Sequence, residues 1–90
     1  MASRVANISD PVGLHLRAAS RIVQVAKGFE SEIRISYDGV ETNAKSILGL
    51  ASLVARFQEP LEISADGPDE QAALDALSHL IAVELGEESK

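Results

Sequence analysis

The sequence predicts an α+β domain in which a four-stranded, mainly antiparallel sheet carries three helices on one face. Three observations support this reading. Alternating segments and segments of helical period follow one another in the order β-α-β-β-α-β-α. Asp38-Gly39 is a strong two-residue hairpin signal. A hydrophobic content of 46% with only one Tyr and two Phe in 90 residues implies one aliphatic core, hence a single domain over residues 1–90. A chain of this size buries roughly 60% of its surface on folding, enough for marginal stability without staples.

Residues 4–8 (Arg-Val-Ala-Asn-Ile) read as a first strand with Ala6 and Ile8 facing inward, ended by the breaker run Ser9-Asp10-Pro11-Val12-Gly13. From Leu16 to Lys27, Ala19, Ile22, Val23 and Ala26 keep helical spacing. Gly28 suits a left-handed C′ position, with Phe29 folding back on the last turn. Residues 32–37 alternate, so the hairpin pairs Tyr37 with Val40 and Ile35 with Thr42. A second helix is expected from the N-cap Ser46 to about Arg56, its buried stripe formed by Leu50, Leu53, Val54 and Phe57 within about 100° of arc.

Pro60 introduces the last strand, Leu61 to Ala65. The run 66–70 then supplies a turn, a proline suited to a first helical turn and acids that complement the helix dipole. The long final helix places Ala73, Leu77, Leu80, Ile81 and Leu85 on one side, with Asp75 and His79 on the other.

The formal net charge of −6 is unevenly placed: seven basic and five acidic residues lie up to Arg56, and one basic and nine acidic beyond it. An anionic ligand therefore suits the first part, and a nucleic-acid partner is disfavoured by the acidic total and the scarcity of stacking aromatics. There is no cysteine, hence no disulfide, thiolate nucleophile or Cys-based metal site, and no metal or cofactor is expected. No apolar run approaches a membrane span, and the first residues lack the apolar core of a signal peptide, so a cytoplasmic location without membrane insertion is expected.

His15 falls between the 11–13 turn and the start of the first helix, where backbone N–H groups without partners favour an anion. The dipole and the neighbouring Arg17 favour a neutral, nucleophilic ring near pH 7. A phosphoryl group on that ring would meet helix N–H groups and a guanidinium, both suited to its charge. A plain helix-start histidine is the bland alternative. A hydrolase is disfavoured, because neither a carboxylate pair nor a second base stands at a suitable position.

Gly13-Leu14-His15-Leu16-Arg17-Ala18-Ala19, followed by Asn43-Ala44-Lys45-Ser46-Ile47-Leu48-Gly49-Leu50, resembles the HPr family of phosphocarriers of the phosphoenolpyruvate-dependent phosphotransferase system over essentially the whole chain. The resemblance implies an open-faced β-sandwich of HPr type. It implies that His15 becomes a pros-phosphohistidine, phosphorylated at Nδ1 by enzyme I, that Arg17 neutralises the phosphoryl group, and that Gly13 shapes the turn. It also implies onward transfer to an enzyme IIA-type acceptor in sugar uptake, the protein being a carrier rather than an independent turnover enzyme. The nitrogen-related regulatory branch of the family and, from another class, a non-catalytic protein-binding module are the alternatives.

Ser46 matches the serine modified in some lineages by an HPr Ser kinase/phosphorylase; helix capping explains it as well. Leu16, Arg17, Ser20, Ile47, Leu48 and Ala51 match the family's partner-binding surface. Independently, Ile47, Leu48 and Ala51 run off the edge of the buried stripe toward solvent, unless they cover the sheet edge. A monomer suits a carrier that meets two partners through one face. The chain departs from the family where Leu16-Arg17-Ala18 lacks the usual proline, which removes a φ constraint but no chemical group.

Overall fold

The computed structural model describes residues 1–89. Its elements are β1 (Ala2–Asn7), α1 (Leu16–Ala26), β2 (Glu32–Tyr37), β3 (Val40–Asn43), α2 (Ile47–Ala51), β4 (Pro60–Asp66) and α3 (Glu70–His79). One π-type turn, Leu80–Glu84, then leads into α4 (Leu85–Glu88), so the expected long final helix is interrupted by a wide turn. Its inward side is as the spacing predicts: Ala73, Leu77, Leu80, Ile81 and Leu85 are all buried.

The strands lie in the order β1-β4-β2-β3 and every pair is antiparallel. Because β4 runs antiparallel to both β1 and β2, those two strands point the same way and cannot be joined by a hairpin. α1 supplies the crossover between them, and α2 serves the same purpose between β3 and β4. The β2–β3 hairpin has the expected register, Tyr37 opposite Val40 and Ile35 opposite Thr42. Asp38 (φ 52°) and Gly39 (φ 81°) both take the positive φ that a type I′ turn requires.

Strand alternation sorts the side chains. Ala6, Ile33, Ile35, Leu61, Ile63 and Ala65 are buried beneath the helices, whereas Val5, Glu32, Arg34 and Glu62 face outward on the uncovered side. The core is aliphatic throughout; Phe29 and Tyr37 close its rim, and Phe57 is exposed.

The second helix is shorter than its pattern predicts. It ends at Ala51, where the Ser52 hydroxyl donates to the Gly49 carbonyl at 2.7 Å, a local bond that competes with continued helix. The chain then turns through Val54 at φ 55°, which leaves Leu50 and Leu53 buried but turns Val54 outward, 69% exposed, with Phe57 also outside. Helical geometry, on which both would be buried, does not continue past Ala51.

Two smaller expectations also change. Gly28 is not left-handed: α1 closes through Gly28 N–H to the Val25 carbonyl and Phe29 N–H to the Ala26 carbonyl, a tightened last turn. Pro68 stands before the N-cap Asp69 rather than inside the first turn of α3.

Val54 and Gln58 (φ 65°) both occupy the region that L residues with a Cβ avoid, and Val54 is branched there as well. The left-handed conformation costs about 1–2 kcal/mol for such a residue. Val54→Gly is expected to stabilise the fold by about 1 kcal/mol after the added flexibility of the unfolded chain is subtracted. A urea denaturation midpoint that stays put or falls would contradict that assignment.

Candidate functional site

The site is built where the end of β1 meets the approach to β4. Asn7 pairs with Pro60, and the chains on either side remain in contact: Ile8 N–H donates to the Glu59 carbonyl at 3.0 Å, and Gln58 N–H to the Ile8 carbonyl at 2.8 Å. Farther out, Leu14 N–H donates to the Ala55 carbonyl at 2.8 Å. Gly13 (φ 92°) lies so close to this second segment that a Cβ would stand 2.6 Å from the Ala55 carbonyl oxygen. Only glycine meets both demands, which confirms Gly13 as the residue that shapes the turn.

The C-terminal helical turns brace the other side. Ser9 N–H and Oγ both donate to the Ile81 carbonyl, and Gly86 N–H donates to Ser9 Oγ at 2.9 Å. A Cβ at Gly86 would stand 2.7 Å from the Ser9 carbonyl oxygen. Arg21 on α1 makes a bidentate pair with Glu88, both contacts at 2.9 Å, and its hydrogen bond holds the Glu88 carboxyl below the usual carboxylate range.

His15 is the N-cap residue of α1, in extended conformation (φ −114°, ψ −177°), and its side chain does not cap the helix. The first helical bond runs from Ala19 N–H to the His15 carbonyl at 2.8 Å, so the N–H groups of Leu16, Arg17 and Ala18 precede any intrahelical acceptor. The imidazole is half-buried, and its Nε2 lies 3.0 Å from Asp10 Oδ2. Arg17 Nη2 donates to the same oxygen at 2.8 Å and stands 3.4 Å from Nε2.

Asp10 is therefore shared by the two predicted site residues, and sequence reasoning missed it. Its side chain is wholly shielded from solvent, while Oδ1 accepts from Val12 N–H at 2.9 Å. Burial pushes its carboxyl up, but the Val12 N–H, His15 and Arg17 together overcome burial and hold it below the ordinary aspartate range. In the sequence it stands inside the breaker run 9–13. The usable signal was an aspartate opening an Asx-turn five residues ahead of a histidine.

A family profile described as the PTS HPr component phosphorylation site matches residues 2–83. The chain belongs to the HPr family of phosphocarriers. The phosphocarrier protein HPr of Cupriavidus necator is 41% identical over 87 residues, covering 97% of this chain and 98% of that one. HPr of Treponema pallidum is 38% identical over 88 residues, covering 98% and 100%. Among solved structures, HPr-C-His of Thermoanaerobacter tengcongensis superposes with a TM-score of 0.89 at 38% identity, covering 96% of this chain and 97% of that one. The α+β HPr fold and the phosphotransferase-system phosphocarrier class are thereby given.

Within that family frame, Ala18 stands where the usual proline is missing, and α1 forms from Leu16 regardless, with Ala18 fully buried. Ser46 caps α2, its Oγ accepting from Gly49 N–H at 3.1 Å. Leu16 (66%) and Leu48 (84%) are exposed and Ile47 lies partly so, while Ser20 and Ala51 are half-buried. Val12 and Val54, the sequence neighbours of Gly13 and Ala55, are exposed as well. His79 lies on the outer side of α3 as expected, exposed and 2.7 Å from Glu84. Among the described residues, no helix is long and apolar enough to cross a membrane.

The lowered carboxyl of Asp10 links the site to folding. A depressed folded-state value contributes stability that is fully present above the unfolded aspartate range and is lost as pH falls through the folded one. Asp10→Asn should be less stable than wild type at neutral pH, with the gap narrowing below about pH 4. Paired melting curves across that range check the sign; a gap that widens on acidification would contradict it.

Proposed function

We propose that this protein accepts a phosphoryl group on Nδ1 of His15 from phosphorylated enzyme I and passes it to an enzyme IIA-type acceptor in sugar uptake. The observation that carries the proposal is the placement of His15 at the start of α1, with the Arg17 guanidinium 3.4 Å from its ring. A phosphoryl group there meets the N–H groups of Leu16, Arg17 and Ala18 and the positive end of an 11-residue helix. Arg17 rests at the Nε2 edge on Asp10, so in this reading its guanidinium shifts toward the phosphoryl oxygens when they arrive.

In this reading the carrier works in the cytoplasm as a monomer of one domain. Leu16, Arg17, Ser20, Ile47, Leu48 and Ala51 form the face on which enzyme I and the acceptor dock in turn. Its support is the exposed apolar character of Leu16, next to His15 in the chain, and of Leu48 on α2, which costs the isolated chain solvation and is recovered in a complex. Ser46 serves as a regulatory acceptor for an HPr Ser kinase. Its Oγ lies at the start of α2, next to Ile47 and Leu48, where a phosphate adds charge to the docking face.

Intact-mass spectrometry after incubation with phosphoenolpyruvate and enzyme I tests the reaction. The expected result is a single acid-labile phosphoryl adduct that is lost in His15→Ala; no adduct on folded wild type, or an adduct that survives in the variant, would overturn the assignment. Leu48→Glu is expected to weaken enzyme I binding about ten-fold or more while leaving the melting temperature unchanged, as its 84% exposure requires. Equal affinity in a titration would remove α2 from the docking face.

A further inference from the structure

We infer that Asp10 is a positioning residue for phosphoryl transfer, holding the His15 ring with its hydrogen on Nε2 and its nucleophilic lone pair on Nδ1. The inference rests on the reading that His15 is the phosphoryl acceptor and adds a residue that acts through its ring. An ionised carboxylate offers only acceptors, so the 3.0 Å contact of Asp10 Oδ2 with Nε2 requires a hydrogen on that nitrogen, and the longer 3.4 Å approach of Arg17 Nη2 to Nε2 is then not a hydrogen bond. A neutral imidazole carries one N–H, which leaves the lone pair on Nδ1. The carboxylate is itself fixed: it is shielded from solvent, held at Oδ1 by Val12 N–H and at Oδ2 by Arg17 Nη2.

The same contact serves the charge that transfer creates. As the Nδ1 lone pair forms the N–P bond, the bond from phosphorus to the donor breaks and its electron pair leaves with the donor. The ring then holds phosphorus on Nδ1 and hydrogen on Nε2 and gains one positive charge, directly against the Asp10 carboxylate. On onward transfer the N–P bond breaks and its pair returns to Nδ1. The Nε2 hydrogen stays in place through both steps, so no separate base takes part. Because Asp10 also binds Arg17, it keeps the guanidinium beside the ring between transfers.

A turn-capping role alone predicts something different. Asp10→Ser keeps an acceptor for Val12 N–H but is too short to reach the ring, and Asp10→Asn keeps the shape but cannot accept at Val12 N–H and Nε2–H together. Both are compared with wild type as full chains. Nitrogen-15 NMR of the imidazoles above their titration range reads the tautomer, with His79 assigned by His79→Gln. The initial rate of His15 phosphorylation is measured with phosphoramidate, which needs no docking, and with phosphorylated enzyme I.

The expected result is a dominant Nε2–H form in wild type, a smaller fraction of it in both variants, and rates reduced about ten-fold or more with either donor. A folded variant with the wild-type tautomer and a rate within two-fold overturns the role, and so does an Nδ1–H form in wild type. If Asp10→Ser does not fold, Asp10→Asn and the wild-type spectrum decide. An Nε2–H wild type that takes no phosphoryl group from either donor overturns the carrier reading and this inference with it. Phosphorylation of a wild type in the Nδ1–H form overturns this inference alone.

Discussion

The antiparallel pairing of β1 with β4 is the constraint on which the site depends. It sets Asn7 opposite Pro60 and so forces the segment after β1 and the segment before β4 to leave the sheet side by side. Their backbones stay in contact from Ile8 to Leu14 on one side and from Ala55 to Glu59 on the other. Gly13 sits in the narrowest part of that contact, and His15 follows two residues later at the head of α1. A residue 40 or so positions away in sequence, Ala55, thus fixes the orientation in which the histidine enters its helix. A different strand order would separate these two loops.

Burying Asp10 at that junction is costly by itself, and the structure offsets the cost with three donors gathered from a backbone N–H, an imidazole and a guanidinium. The result is a small polar cluster in which no buried side-chain atom lacks a partner, set at the surface end of an aliphatic core. A fully satisfied network of this kind specifies one arrangement, because losing any partner leaves a charge or donor buried. Ser9, next in the chain, is held from the opposite direction by Ile81 and Gly86, so the wide turn in the C-terminal helix also serves the site. The two ends of the chain are joined through one loop.

The segment from Ser52 to Gln58 shows local preference yielding to that architecture. Valine and glutamine adopt positive φ, although neither residue favours it, because the chain must leave α2 and reach the start of β4 while presenting the Ala55 carbonyl inward. Val54 gains little burial in return, and its side chain joins Val12, Leu16 and Leu48 on the exterior. An apolar side chain that is both strained and exposed gives nothing to the isolated fold, which is consistent with a face used in complexes.

Periodicity and turn chemistry determined most of the scaffold. The alternation of residues 32–37, the Asp38-Gly39 turn and the spacing of Ala19, Ile22, Val23 and Ala26 each encode short-range geometry, and each element formed with the predicted inward face. The turn and helix start on either side of His15 were legible for the same reason, from the breaker run 9–13 and the helical spacing that follows it, whereas the roles of His15 and Arg17 came from the resemblance of their motif to the HPr family. What only the tertiary structure decided were the features that depend on contacts across the chain. The end of α2, the outward turn of Val54 and Phe57, and the tightened close of α1 were settled by backbone bonds and crossings that a helical wheel does not contain. Asp10 is the sharpest instance: in sequence it is one more turn former, and it becomes the partner of His15 and Arg17 only because folding removes it from water and leaves the Val12 N–H and those two side chains as its means of keeping a charge.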